Sequence, residues 1–204
     1  EQPNKAYLSA RDMDTDGNLY KAKNFNFSRN RDALRLADDE KYNKELFESV
    51  LSIREGKDHK KLIKMLDELN DYSVDIDTVI KKYFNEQNLL SFAALQIAFS
   101  NYRLMYDNYL IYSPQNANTW YLIPADFGNM LEGGTEAKSD IMPDDFTGLP
   151  MLFDNVLFRR YFSKPENIEK LKVQMQTLHG TLNGNYVSSQ IKKYKPSVLP
   201  LLYS

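Results

Sequence analysis

The sequence predicts an α+β fold that is predominantly helical, with a single β-hairpin between two groups of helices. Between residues 42 and 104, apolar side chains recur three and four positions apart, which is the spacing of one helix face. The runs 108–113 and 119–124 follow a period of two and flank the turn 114–118, which predicts the hairpin. Helical spacing returns after residue 150 and continues to the last part of the chain.

Each helical segment has its own signal. Before the hairpin, the predicted helices cover residues 42–56, 60–70, 75–83 and 88–104. The second carries Lys60, Lys61 and Lys64, which we expect to form a solvated face. The fourth is apolar on nearly every side, which is typical of a central, buried helix. After the hairpin, helices are predicted over 152–161, from Ser163 onwards with Ser163 as N-cap and Glu166 at the third position, and near 186–194.

Composition limits the classes of function. The chain has 204 residues, enough for one domain with a real core. A formal net charge of -2 lacks the clustered basic excess of a nucleic-acid-binding protein, so we expect no nucleic-acid partner. The absence of cysteine excludes disulfide scaffolds and thiol catalysis. The two histidines, His59 and His179, form no H-E-x-x-H pattern, so a zinc hydrolase is not expected.

Two features bear on targeting. No stretch approaches the 18 or so consecutive apolar residues of a transmembrane helix, so we expect no membrane span in this chain. The chain begins Glu1-Gln2-Pro3, without Met and without the apolar region of a signal peptide. We interpret that beginning as internal to a longer chain or as processed.

An acidic turn near the beginning has a partial calcium-loop pattern. Asp12, Asp14 and Asp16 precede Gly17 in a D-x-D-x-D-G run. The position that supplies the bidentate Glu in a calcium loop is Lys23, so we favour an acidic turn over a calcium site. A short strand, 18–22, is predicted to follow that turn.

A candidate metal site lies at the two ends of the hairpin. Asp126-Phe127-Gly128 follows the second strand, and in protein kinases a D-F-G tripeptide in this position provides the Asp that binds Mg²⁺. Asn108 stands at the start of the first strand. A hairpin that starts at Asn108 and ends at Asp126 brings two hard oxygen ligands to one edge, and these suit Mg²⁺.

The position of the catalytic base is unusual. In kinases the base is an Asp five residues before the metal-binding Asn, and here that position is Arg103. A guanidinium stays protonated and cannot accept a proton from a substrate hydroxyl. Asp107 is the nearby carboxylate and a possible stand-in base, although neighbours on an extended segment point to opposite faces. The alternative interpretation is an ordinary loop in which Arg103 and Asp107 are solvated.

Over most of its length the sequence resembles the CotH kinase-like family, named for a bacterial spore coat protein. The matching stretches, in the family's order, are Gly17-Asn-Leu-Tyr-Lys21, Val74-Asp-Ile-Asp77, Tyr83-Phe-Asn85, Asn101, Asn108-Tyr-Leu-Ile-Tyr-Ser-Pro114, Trp120-Tyr-Leu-Ile-Pro-Ala-Asp126 and Leu157-Phe-Arg-Arg-Tyr161. The resemblance implies an atypical protein-kinase fold that binds ATP and Mg²⁺ and phosphorylates proteins. It also implies a bacterial protein that is secreted or held at the cell surface.

The resemblance also shows where this chain departs from its relatives. The family's central pattern reads N-x-D-x-x-x-x-N and then P-W-D-x-D. Asn101, Asn108 and Asp126 match it. The catalytic Asp falls on Arg103, the Trp on Ala125 and the second Asp on Gly128. Three departures at one site therefore weaken the expectation of catalysis.

By the same resemblance, residues 1–40 are the irregular and strand-containing end of a small lobe. Residues 41–204 are then the helical large lobe, in which the hairpin carries the metal-site residues. Lys21 is the candidate for a phosphate-binding charge, against the simpler interpretation of a lysine at the end of a strand.

Three functions fit these residues. We favour a CotH-like, kinase-fold protein with impaired catalysis, a pseudokinase kept for binding at a cell surface. The second is an active phosphotransferase that uses ATP and Mg²⁺ and in which Asp107 replaces the base. The third is a helical interaction domain without a nucleotide site. The sequence leaves enzymatic activity open and names no protein substrate or binding partner.

Overall fold

A computed structural model describes residues 3–101, 109–125 and 148–202. Within these ranges the helices are α1 Lys5–Ser9, α2 Lys44–Val50, α3 Lys60–Leu69, α4 Ile76–Tyr83, α5 Glu86–Ala98, α6 Val156–Tyr161, α7 Pro165–Thr181 and α8 Gly184–Leu202. The strands are β1 Asn18–Ala22, β2 Leu51–Glu55, β3 Tyr109–Ser113 and β4 Tyr121–Pro124, and a 3₁₀ turn spans Leu149–Leu152. The predicted α+β, helix-rich class is confirmed.

The four strands form one antiparallel sheet in the order β2-β1-β3-β4. The predicted pairing of the two hairpin strands is confirmed, because β3 and β4 pair directly, with Tyr109 opposite Pro124. The hairpin does not stand alone, since β3 also pairs with β1 near the beginning of the chain.

Side chains alternate between the two faces of this sheet. Tyr20, Ile111 and Leu122 face the main core, which the helices also line. Leu19 and Leu110 face the other way and pack with Leu8 of α1 in a smaller cluster. Both faces of the inner strands are therefore covered, and this fixes their register, because a one-residue slip would exchange the two sets of side chains.

The helix predicted over 42–56 is wrong in its second half. Helix α2 ends at Val50, and Leu51–Glu55 instead forms β2 beside β1. Leu51 and Arg54 continue the helical spacing, so local sequence does not mark the change. Pairing with β1 supplies backbone hydrogen bonds along an edge that would otherwise be open.

Helices α3 and α4 agree with the prediction, whereas α5 begins at Glu86 and ends at Ala98, so residues 99–101 lie outside the helix that was predicted over 88–104. The side chains of Asp75 and Asn85 cap α4 and α5 by accepting backbone N–H groups. Leu89, Phe92 and Ala93 of α5 are buried, and α5 packs on α7, β4 and the 3₁₀ turn, so it is the central helix of the described chain.

The predicted N-cap at Ser163 is wrong. Helix α7 has Lys164 at the N-cap position without a side-chain cap, and the Oγ of Ser163 instead donates to the carbonyl of Arg160 at 2.7 Å. Lys164 has another role, because its Nζ donates to carboxylate oxygens of Asp75 at 2.7 Å and Asp77 at 2.5 Å. The start of α7 is thus held to the start of α4.

The last helix is longer than the predicted 186–194 segment. Helix α8 continues to Leu202 through Pro196 and Pro200, residues that ordinarily disfavour a helix interior. In the described ranges, no helix combines the length and apolarity that crossing a bilayer requires.

A buried histidine joins β1 to the start of α3. His59 is 2% exposed, and its Nδ1 and Nε2 lie 2.9 Å and 3.3 Å from the hydroxyl oxygens of Tyr20 and Tyr42. Its ring stacks on Phe47, with the centroids 4.2 Å apart. Burial lowers the pKa of His59 below its ordinary value of 6.5, and the nearby carboxylate of Asp58 opposes this to a smaller extent.

This lowered pKa predicts a pH dependence of stability. The folded chain binds fewer protons at His59 than the unfolded chain, so the free energy of unfolding should fall as pH decreases below about 6.5. Urea unfolding between pH 7.5 and pH 5.5 measures that slope, and His59→Gln should reduce it. His179→Gln, at an exposed histidine, should leave it unchanged. Equal slopes in all three proteins would contradict the prediction.

Candidate functional site

Three parts of the chain from which the sequence predicts a metal and phosphate site meet at one end of the sheet. They are the end of β1, the start of β3 and the end of β4. In the paired strands, Lys21 lies opposite Leu110, and Leu110 lies opposite Ile123. Tyr109 and Pro124 form the last pair of the hairpin at this end. We call this region, defined by Lys21, Tyr109 and Pro124, the Lys21 end of the sheet. Asn108 directly precedes the start of β3, and Asp126 follows the end of β4 by two positions in the sequence.

Lys21, the candidate for binding a phosphate, lies within the described residues. It is partly buried and lies on the sheet face of Leu19 and Leu110, opposite Ser52 of β2. No residue in the described ranges forms a hydrogen bond or ion pair with its Nζ.

The other nominated residues, Arg103, Asp107, Asn108 and Asp126, lie outside the described residues, as do Phe127 and Gly128. Their roles remain predictions. The described strands establish only where the segments that carry them are attached.

Two buried amides precede the segment that carries Arg103. Gln96, in the last turns of α5, is 1% exposed, and neither its Oε1 nor its Nε2 has a hydrogen-bond partner among the described residues. Asn101, which matches the family pattern, is also buried, and its backbone N–H donates to the Gln96 carbonyl at 2.9 Å. Buried polar groups are nearly always paired, so Gln96 marks unused hydrogen-bonding capacity where α5 ends. Sequence reasoning passed over Gln96, because one polar residue at the end of an apolar helix carries no signal of its burial.

The acidic turn is occupied by internal contacts. One carboxylate oxygen of Asp14 accepts the backbone N–H of Gln115 at 2.7 Å, and the other accepts that of Asp16 at 2.9 Å. These two bonds, the Gln115 bond first, lower the pKa of Asp14. Asp16 pairs with Lys5 at 3.3 Å. Asp14 thus ties the turn near Gly17 to the hairpin turn, and no group of three or more His, Asp or Glu in the described ranges is arranged to hold a metal.

The expectation that Lys61 belongs to a solvated face is wrong. Its Nζ donates to the Oγ of Ser113 at 3.0 Å and to the carbonyls of Pro114 at 2.5 Å and Ala117 at 2.9 Å. Burial lowers the pKa of Lys61, and the carboxylate of Asp14 partly restores it. Helix α3 therefore holds the hairpin turn, at the end of the sheet opposite Lys21. A lysine within a run of lysines does not reveal such a contact in the sequence.

The nominated set has the chemistry of a site for a metal-bound phosphate. An amide oxygen and a carboxylate oxygen are ligands that suit Mg²⁺, and an ammonium group binds the phosphate oxygens that the metal also contacts. Lys21 provides the ammonium group at the end of the sheet where β3 begins and β4 ends.

Comparison with known proteins identifies the family. No curated protein matches the sequence. The family model described as CotH kinase protein matches residues 1–202, which is nearly the whole chain. Together with the order of the motifs from Gly17 to Tyr161, this match shows that the chain belongs to the CotH kinase protein family.

Proposed function

We propose that this chain is a kinase-fold domain that binds a nucleotide phosphate with Mg²⁺ at the Lys21 end of the sheet and transfers phosphate poorly. The observation that supports the proposal most directly is strand register. β3 and β4 form one hairpin, so the start of β3 and the end of β4 lie together, and β1, from a separate part of the sequence, brings Lys21 to that same end. The hairpin alone does not bring a lysine to this end, because that depends on how β1 pairs with β3.

In this proposal Lys21 supplies a positive charge to the phosphates, and Asn108 and Asp126 are the Mg²⁺ ligands. Bound ATP with Mg²⁺ would supply a phosphoryl group for transfer. Arg103 occupies the position of the base and cannot accept a proton, so Asp107 is the remaining carboxylate for that role. Residues 1–40 then form the end of a small lobe, and residues 41–204 form the large lobe. Strand β1, in the small-lobe segment, pairs with β2 and β3, in the large-lobe segment.

Titration calorimetry with ATP tests the proposal in the presence and in the absence of Mg²⁺. Binding should require Mg²⁺, and Asp126→Ala should weaken it by about tenfold or more, because a charged metal ligand is removed. Asp38→Ala is the matched control, since it removes an exposed carboxylate from a different part of the chain. Lys21→Met should weaken binding without abolishing the need for Mg²⁺.

The outcomes separate the possible functions. Binding of ATP without transfer of labelled phosphate supports a pseudokinase, and efficient transfer supports an active kinase. An absence of ATP binding would contradict the proposal and favour an interaction domain. Equal affinities in Asp126→Ala and Asp38→Ala would reject the metal assignment.

A further inference from the structure

Three arginines line one pocket outside the site described above. The pocket has a volume of about 420 Å³ and lies between the segment 29–39 and helix α3. Arg29, Arg31 and Arg35 contribute guanidinium groups to its lining, and Leu36 and Ile63 contribute apolar surface. None of these residues belongs to the sheet or to the nominated nucleotide site.

Arg29 forms a fixed wall of this arginine pocket. Its side chain is 12% exposed, and its Nε lies 2.7 Å from a carboxylate oxygen of Asp67. Its Nη1 donates to the carbonyl of Leu34 at 2.7 Å, and its backbone N–H donates to the side chain of Asn70 at 3.1 Å. A guanidinium held in this way is preorganised and loses little side-chain entropy when an anion binds.

Arg31 and Arg35 make longer contacts than Arg29 does. The nearest carboxylate oxygen to Arg31 is that of Asp67 at 3.6 Å, beyond hydrogen-bond range, and the Arg31 side chain is 75% exposed. Arg35 makes long contacts, at 3.3 Å to the carbonyl of Asp32 and 3.4 Å to the carboxylate of Asp39. A guanidinium has five N–H donors, so most donors of these two arginines have no partner among the described residues.

The charges around the pocket leave a positive excess in its lining. Three guanidiniums face two carboxylates, those of Asp39 and Asp67, which leaves one positive charge. A further carboxylate, Asp32, lies 3.7 Å from Arg35 but is 95% exposed and outside the lining. An anion that enters the pocket can therefore accept hydrogen bonds from the N–H groups of Arg31 and Arg35, and Leu36 and Ile63 provide apolar surface in the same lining.

We propose that the arginine pocket binds a phosphate monoester, with the ester carbon on the side of Leu36 and Ile63. A phosphate dianion offers three oxygens, which are enough to accept hydrogen bonds from the guanidinium groups of Arg31 and Arg35. The positive charge of Arg29 attracts the same dianion. A carboxylate carries one charge and two oxygens, so it offers less charge and fewer acceptors to these guanidiniums than a phosphate dianion does. This inference does not depend on the proposed nucleotide site, since the two share no residue.

Titration calorimetry at low ionic strength tests the pocket with a defined probe, the blocked tripeptide acetyl-Gly-phosphoserine-Gly-amide. The unphosphorylated tripeptide and inorganic phosphate are the comparison ligands. The phosphorylated tripeptide should bind, and the unphosphorylated one should not. Binding of inorganic phosphate as tight as that of the tripeptide would assign the pocket to free phosphate and overturn the monoester proposal.

Single variants test the residues. Arg31→Gln and Arg35→Gln should each weaken binding of the phosphorylated tripeptide by about tenfold, the usual effect of losing a charge-assisted pair. Arg31→Lys keeps the charge but loses the fork, so its affinity should fall between those of the wild type and Arg31→Gln. Lys57→Gln is the matched control, an exposed cation outside the pocket with the same change of charge.

Two further results would overturn the inference. One is an absence of binding by the phosphorylated tripeptide to the wild-type chain. The other is an equal loss of affinity in Lys57→Gln and Arg31→Gln, which would indicate general attraction to positive charge. Arg31 is exposed, so its variants should keep the wild-type urea midpoint, and a shared midpoint shows that lost binding is not lost folding.

Discussion

Replacing Arg103 by Asp is expected to increase the rate of phosphoryl transfer by about 10²–10⁴-fold, the usual contribution of a positioned general base. The family pattern has an Asp at this position, five residues before Asn108. Arginine cannot accept the proton of the attacking hydroxyl, whereas a carboxylate can. Transfer of labelled phosphate from ATP to the chain itself or to a mixture of proteins measures the change.

Two controls make this result specific. Arg103→Ala removes the guanidinium without adding a carboxylate, so it should not reproduce the increase. Adding Asp126→Ala to Arg103→Asp should abolish the increase, because the base acts only on a bound and oriented phosphate. If Arg103→Asp binds ATP normally and transfers no faster than the wild type, the missing base is not what limits this chain.

The largest expected effect on stability is at Arg160. This side chain is buried, and its Nη1 and Nη2 donate to the carbonyls of Leu69 and Val74, the second at 2.5 Å. Its guanidinium also lies 4.8 Å from the centroid of the Tyr72 ring. Arg160→Met keeps most of the length but leaves two carbonyls without donors. The free energy of unfolding should therefore decrease by about 2–4 kcal/mol.

The adjacent arginine offers a close comparison. Arg159 is exposed, donates to the carbonyl of Phe153 at 3.0 Å and makes a long contact to the Tyr72 hydroxyl at 3.5 Å. Arg159→Met should reduce the free energy of unfolding by roughly 1 kcal/mol or less, since water can replace its contacts. Urea unfolding of both variants measures the difference. Similar losses in the two would show that the pairing of Arg160 does not govern stability here.

Elements whose stability depends on local spacing were predictable. Helices α3 and α4 show regular apolar positions, with Asp75 at the start of α4, and the structure agrees, while the burial of α5 was predictable but its bounds were not. The hairpin was predictable because a change of period and a turn signal occur together. The contact of Lys61 with the hairpin turn was not predictable, because its partner Ser113 is 52 residues away along the chain. The strand position of Leu51 was not predictable either, because its partner strand β1 is about 30 residues away. Local patterns carry no record of such partners.

The sequence alone determined the family, the helix-rich α+β class and the positions Arg103, Asn108 and Asp126 on which the question of catalysis depends. Spacing and residue type are sufficient for these because they are properties of short segments. The tertiary structure alone decided that Lys21 lies at the end of the sheet where β3 begins and β4 ends, and that Arg29, Arg31 and Arg35 share a pocket with α3. Register between distant strands is set by burial on both faces of the sheet, and that burial exists only in the folded chain.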